Sequence, residues 1–484
     1  MTVQNGAQQV SWRDYEGIDG FGSSTQEDLN NLNKALVAGQ DINPPGSVVA
    51  GDGFALRVES LERTLRNTTY KMEHIKFWKS IDKISAYNTV EEYNQIQSYG
   101  DNTDGGFIAE GELPLEDDSK YERKFAIVKF MGTVRRLTHV ASVIKPAHGN
   151  LIAQETVNGT MHLLKMLERA LYYGDSDLSS LQFDGFEKLI TDNSPAANII
   201  DLRGLPLSED ILTDACLTIQ DNPNYGTPTH LHLNLKTKAD LVKTFFPKER
   251  YDLFQKTTSG NIGLDIKGFD SPAGSVAFEP NVFINDGGAP TAAIGDAAKR
   301  PATPTISTAA TSPVDATASF TADDAGDYFY KIQAVNRYGR SAAIDAVAGP
   351  TAVTVAAGDK VTFGVSPGSG PDVEWYEIFR TIKDGASTAT RLILRVANAG
   401  GTGEQVINDL NARLPFTTSA FLFQQNIENM AFKQLAPMVK IPLATIDSSI
   451  RWMQLIYGTP VLYTPGKNVL IKNVGRSANY VGQP

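Results

Sequence analysis

Along the 484 residues, apolar positions fall into three rhythms, and each predicts a different kind of element. A spacing of three and four dominates "GNLIAQETVNGTMHLLKMLERALYYGDS". There Val157, Met161, Leu164, Leu167 and Leu171 form one stripe, which predicts a long helix over 149–173 closed by Gly174 and Asp175. The same rhythm, more briefly, predicts helices in "STQEDLNNLNKALVAGQ", with Leu29, Leu32 and Leu36 on one face behind Ser24 or Thr25, and in "ALRVESLERTLRN". It recurs in "TTYKMEHIKFWKSI", where Met72, Ile75, Trp78 and Ile81 share a face, and in the capped "SEDILTDACLTIQDN". "THLHLNLKTKADLVKTFF" reads as a strand running into a helix.

Strict alternation governs the stretch from Tyr121 to Thr138. Ala126, Val128, Phe130 and Val134 point one way, and Lys129, Met131, Thr133 and Arg135 the other. Turn chemistry in "SYGDNTDGGF" and an extended "FIAEGELP" stopped by Pro114 precede it, so a β-ribbon is expected. Two strands alone are marginal in water. A ribbon of this length therefore lies against something, and a neighbouring subunit is the expected cover.

The third rhythm begins near Ala297, where the composition shifts to Thr, Ala and Val. Behind the linker-like "KRPATPT", short strands with turns follow: "GDYFYKIQAVNRYGRS" with Tyr328, Tyr330, Ile332 and Ala334 alternating, then "VTVAAGDKVTFGV", "VEWYEIFRT" and "TRLILRVANAG". This pattern predicts a β-sandwich similar to fibronectin type III or bacterial immunoglobulin-like domains, although the Trp-Tyr strand follows the Ala-Val-Asn strand instead of preceding it. Mixed α/β character returns after about Pro415, so the sandwich interrupts a larger domain.

Composition narrows the function classes. Hydrophobic residues make up 41% and charged residues 20%, an ordinary globular balance. A net charge of −11 disfavours tight non-specific binding to nucleic acid. The single Cys216 excludes an internal disulfide framework and a cysteine zinc site. Neither a signal peptide nor an apolar run of about 18 residues is expected to direct the chain into a membrane.

Candidate chemistry is sparse. Glu110, Glu116, Asp117 and Asp118, with Glu112, could form a carboxylate or cation site. Their spacing matches no known metal loop, and an acidic loop facing a neighbour's Arg135 and Arg136 is the preferred reading. His230 and His232 share a strand face but lack a third ligand. "GGTGEQV" around Gly400 reads as a turn. The sequons at Asn67 and Asn158 read as chance occurrences. No catalytic residue, metal or cofactor is assigned, and no enzyme activity is expected.

Two linked blocks resemble the major capsid proteins of tailed bacteriophages, the Hong Kong 97-type fold. "FIAEGELPLEDDSKYERKFAIVKFMGTVRRLT" is similar to that family's long hairpin, and the helix ending in "ALYYGDS" followed by "FDGFEKLI" to its spine helix. "YGTPVLYTPGKNVLIKNVG" matches more loosely. The resemblance implies an α+β fold in five parts. These are an N-terminal arm (1–66), a peripheral domain (67–100 and 139–200, with the spine helix 149–173) and a long hairpin loop (101–138). An axial domain with the return to the peripheral domain (201–296 and 419–484) and an inserted immunoglobulin-like sandwich (297–418) complete it.

It also implies a shell subunit of the virion, assembled in the host bacterial cytoplasm into hexamers and pentamers of an icosahedral head around double-stranded DNA. A separate scaffold protein and a portal are implied partners, and the DNA is enclosed without sequence-specific binding. Glu110, Glu116, Asp117, Asp118, Lys129, Arg135 and Arg136 are the expected inter-subunit residues. The family's Lys–Asn cross-link cannot be assigned to Lys120 or Lys124. The sandwich would contact a host surface, a decoration protein or the shell itself. A surface adhesin or carbohydrate-binding protein is the alternative reading, motivated by the sandwich alone, and a carboxylate-dependent hydrolase is a third.

Overall fold

The computed structural model describes residues 67–100, 107–114, 116–144, 149–245, 265–284, 287–312, 320–347, 349 and 351–476. The predicted arm over 1–66, with both of its helices, lies outside them. The chain divides into two compact units, Met1–Thr68 with Val140–Gln154, and Thr69–His139 with Glu155–Pro484. Within the first unit, the Asn150 side chain accepts the Ile152 amide at 2.9 Å and caps the start of a long helix. All that follows concerns the second unit.

Its chain opens with a difference from the predicted helix over 68–81. Met72–His74 form one 3-10 turn, and only Phe77–Ser80 (α1) are helical. Ile75, Phe77 and Ile81 are buried while Met72 is exposed. The cause lies far along the sequence, in the fully buried Glu168. Its carboxylate accepts the backbone amides of Lys76 (3.1 Å), Phe77 (2.8 Å) and Trp78 (2.8 Å). A carboxylate on the free amides of a helix start stabilises a new N-terminus there.

Strands β1 (Lys83–Ser85), β2 (Val90–Ser98), β3 (Lys120–Ile127) and β4 (Lys129–Thr138) follow, then the short helix α2 (His139–Val143). The spine helix α3 is Leu151–Tyr173. It buries Leu163, Leu164, Leu167 and Leu171 as the stripe predicts, but Val157 is 56% exposed. Near Val157 the helix meets polar groups instead of core: Gln454 donates to the Thr156 carbonyl at 2.9 Å, and Lys440 to the Thr156 hydroxyl. Gly159 permits this approach, since a Cβ there would meet the Gln454 side chain. The helix ends as predicted at Gly174, which packs against Gly185 so closely that a Cβ on Gly185 would lie 2.6 Å from the Gly174 nitrogen.

The chain continues through α4 (Phe186–Asn193), β5 (Ile199–Asp201), α5 (Glu209–Gln220, capped by Ser208), β6 (His230–Leu233), α6 (Leu235–Phe245), β7 (Gly268–Ser271) and β8 (Gly274–Pro280). A run of short strands comes next: β9 (Ile294–Gly295), β10 (Thr305–Ser312), β11 (Gly326–Tyr328), β12 (Tyr330–Asn336), β13 (Gly339–Arg340) and β14 (Ile344–Asp345). It ends with β15 (Val353–Val355), β16 (Lys360–Ser366), β17 (Trp375–Arg380), β18 (Arg391–Ala397) and β19 (Gln405–Asp409). Four longer strands close the chain: β20 (Thr418–Phe423), β21 (Met430–Pro442), β22 (Ser449–Leu462) and β23 (Asn468–Val474).

Three cores organise these elements. The six-stranded sheet β5-β23-β20-β6-β8-β7 is covered on both faces. Phe421, Phe423 and Leu470 join the spine-helix leucines on one side, and Ala420, Leu422 and Val469 meet α5 and α6 on the other. Every residue of β20 is therefore buried. A second sheet, β1-β21-β22-β4, runs under the spine helix. The short strands β9 to β19 enclose a core that shares no residue with the other two, built on Tyr330, Ile332, Phe363, Tyr376, Ile378 and Ile407. Inside it, buried Arg380 donates to Asp409 (2.7 Å) and Asn411 (2.5 Å).

The edges of that region differ from the expected 297–418. Ile294 and Gly295 already pair with Arg340 and Gly339 in its sheet, while Thr418 pairs with Val474 in the six-stranded sheet. The linker composition that marks 299–305 therefore falls after the first strand, not before it.

Candidate assembly surface

The ribbon is built differently from a single hairpin over 101–138. Strand β3 pairs antiparallel with β2 upstream, from Val90↔Ile127 to Ile96↔Tyr121, whereas β4 pairs with β22, from Lys129↔Gly458 to Thr138↔Ser449. Val128 lies between them, 2% exposed, with its amide on the Thr89 carbonyl at 2.8 Å. Here the alternation changes parity. Lys124, Ala126 and Val128 face inward before the break, and Lys129, Met131, Thr133 and Arg135 after it. Ala126 and Val128 therefore do not share a side with Phe130 and Val134. One displaced residue sends every following side chain to the other face. The predicted extended "FIAEGELP" is likewise an irregular segment, turning where the Glu112 amide meets the Ala109 carbonyl at 3.1 Å and Gly111 takes φ +90°.

Cross-strand register divides the β2–β3 ribbon into two faces with distinct chemistry. Inward, Tyr93 meets Tyr463 edge-on with centroids 5.1 Å apart, and Gln95 donates to the Tyr463 carbonyl. Glu91, 8% exposed, takes Lys433 at 3.2 Å and the amides of Tyr87 and Asn88. Burial raises the Glu91 carboxyl, but those two amides and the lysine together hold it below its usual range. Outward, the same strands present Val90 beside Ile127 and Ile96 beside Tyr121, with Phe125 opposite Glu92. These five apolar side chains are 45–70% exposed. Strand β4 continues the outward apolar row with Phe130 and Val134, 61% and 60% exposed. One face of the ribbon is anchored to its own chain and the other is an open apolar surface.

The charged residues expected to act between subunits fall into two groups. Glu110, Glu116, Asp117 and Asp118 lie exposed in the connection between β2 and β3. The cations already hold partners in their own chain. Lys129 donates to the Ser180 carbonyl at 2.5 Å, and Arg135 lies 3.7 Å from Glu155. Arg136 binds Asp447 at 2.9 Å. The Ser449 hydroxyl, followed by Arg451 and Arg136, holds Asp447 below the usual carboxylate range. The acidic loop and the arginine pair are thus not brought together within one chain. The open apolar row was not singled out in the sequence. Its signal is "VEEYNQIQS", whose alternation becomes legible only once its partner strand is known.

Other candidates resolve into structural roles. His232 is fully buried, with Nδ1 2.8 Å from the Tyr172 hydroxyl and Nε2 3.3 Å from Gln425. Burial depresses its pKa to about 3. Gly400 to Gly403 form a turn closed at 2.9 Å. Lys124 lies 3.8 Å from Glu122, next to it on the ribbon but one. Among the described residues no group of three or more His, Cys, Asp or Glu could hold a metal, and no helix is long and apolar enough to cross a membrane.

No family model matches the chain. It is 26% identical over 473 residues to the major capsid protein of Staphylococcus phage K, covering 94% of this chain and 96% of that one. To the putative major capsid protein of Enterococcus phage phiEF24C it is 25% identical over 481 residues, covering 93% and 96%. Among solved structures, the capsid of Myoviridae phage XM1 shares 8% identity with a TM-score of 0.42, covering 89% of this chain and 99% of that one.

Proposed function

We propose, with kinship to phage major capsid proteins as the premise, that this chain is the subunit that tiles as hexamers and pentamers into an icosahedral head around double-stranded DNA. The observation that carries the proposal is the two-faced ribbon. Covering its outward row with a second subunit would remove apolar surface from water at about 25 cal/mol per Å². The inward face, tied through Tyr93 and Glu91, holds the row in one orientation while that happens. The acidic residues at the ribbon's far end, Glu116 to Asp118, then add polar contacts on a neighbour. Arg135 and Arg136 would contribute only by sharing the carboxylates they already hold.

The role is structural and no catalytic step is assigned. A scaffold protein and a portal complete assembly in the host cytoplasm, and the product is the virion shell. The region 294–409 acts as an immunoglobulin-like insert with its own core. The adhesin alternative draws no support from the relatives: they cover 94% of the chain, so most of the insert lies within the alignment to a capsid protein.

The test is co-expression with the scaffold and negative-stain microscopy. Phe125→Glu with Ile127→Glu should leave a folded subunit with unchanged melting and abolish shells. Full-sized particles at normal yield from that variant would reject the ribbon as the assembly surface.

A further inference from the structure

A second surface feature lies away from the ribbon, where the spine helix faces the insert. An open cavity of about 370 Å³ there is lined by Arg169 of α3, Arg340 of β13 and Arg395 of β18. Their one carboxylate is Glu377 of β17, 1% exposed, which lies 2.9 Å from Arg340 Nη1 and 3.3 Å from Arg395 Nε. Arg169 makes no hydrogen bond or ion pair with any described residue, and Lys165 lines the same cavity one turn earlier. Three guanidinium groups and one carboxylate leave an excess of two positive charges before Lys165 is counted. Burial, then the charges of Arg395 and Arg340, hold Arg169 below its ordinary range, the mark of cations gathered without a counter-ion. Two further hydrogen-bonding atoms on the cavity's residues, Trp375 Nε1 and Tyr173 Oη, are buried with no partner.

We propose that this cavity binds a small multivalent oxyanion of the phosphate class. Guanidinium forks match the paired oxygens of a tetrahedral oxyanion, and a dianion balances the excess charge where a single carboxylate does not. The bound anion would bridge α3 to β13 and β18 and so fasten the insert to the body of the subunit. Neither the ribbon nor shell formation enters this argument, so its failure would leave the proposed function untouched.

Isothermal titration of the full, unassembled chain with inorganic phosphate tests it, with sodium chloride at matched ionic strength as the blank and sodium glutamate as a carboxylate probe. We expect saturable binding of one phosphate per chain that chloride does not reproduce. Arg169→Gln should weaken it about tenfold or more, the loss of a charged hydrogen-bond pair. The melting temperature of the phosphate-free variant should stay unchanged, because Arg169 has no protein partner to lose. Quenching of tryptophan fluorescence by phosphate, absent in Trp375→Phe, would place the anion in this cavity. Heats no larger than with chloride, or an Arg169→Gln variant that binds like the parent, would overturn the proposal. Equal binding of glutamate would overturn the phosphate class.

Discussion

Glu168 joins parts of the chain that no local pattern connects. Its carboxylate holds three backbone amides of the α1 entry and the Asn281 side chain at 2.6 Å. Removing the acceptor strands buried donors, each costing about 1–3 kcal/mol. Glu168→Ala should therefore destabilise the subunit by more than about 3 kcal/mol, read from the denaturant midpoint, while Glu168→Gln keeps one acceptor oxygen and loses less. His232, a few ångströms away through Tyr172, sets a pH dependence. Its folded pKa of about 3 lies below the unfolded value of 6.5. Between those values the unfolded chain binds a proton that the folded chain refuses. The stability linked to His232 is complete above pH 6.5 and falls by about 1.4 kcal/mol per unit as pH drops toward 3. Unfolding measured at pH 7.5 and pH 5 should show the parent losing about 2 kcal/mol more than His232→Gln over that interval. An identical loss in both would place the acid sensitivity elsewhere.

Secondary elements show where periodicity suffices and where it does not. The spine helix was legible because Leu164, Leu167 and Leu171 all meet one core, and Ser208 marked the start of α5 through its own hydroxyl. Residues 68–81 carry the same spacing without forming one helix, because the deciding group, Glu168, sits about ninety residues away. Val157 fits the stripe by spacing but lies where the helix crosses a polar part of the sheet. In the ribbon, alternation was legible but its parity was not, since apolar residues occupy both faces and only the break at Val128 assigns them. The acidic loop and basic strand were visible as charges, while the in-chain partners Glu155 and Asp447 were not. Because Tyr93 and Tyr463 anchor the inward face, Tyr93→Ala should free the ribbon without unfolding the body. Hydrogen exchange should accelerate across β2 and β3 and remain slow in α3 and β20. Uniform acceleration across all four would mean that the ribbon is part of the global folding unit.

At the scale of the whole subunit, the division between insert and body follows hydrogen bonds more closely than composition. The insert's sheet begins with Ile294 against Arg340, and its last strand ends at Asp409. From Ala412 onward the chain is tied to the body: Asn473 donates to the Ala412 carbonyl at 3.1 Å and accepts the Leu414 amide at 2.9 Å. Thr418 then enters the six-stranded sheet. Insertions are tolerated where few contacts cross the boundary, and the ion pairs that do cross, Arg203 with Asp324 at 3.7 Å and Arg413 with Glu187 at 3.9 Å, are of the weak, partly exposed kind. Replacing 288–411 with a Gly-Ser linker should therefore leave a body that unfolds cooperatively near the parent's melting temperature. Replacing 297–418, the span suggested by composition, should destabilise it, because that cut removes the Asn473 ties and the first residue of β20. Thermal melting of the two trimmed chains decides between the boundaries. Equal melting would mean that residues 412–418 contribute nothing to the body. Collapse of both would mean that the insert's core, separate in its side chains, is not separate in folding.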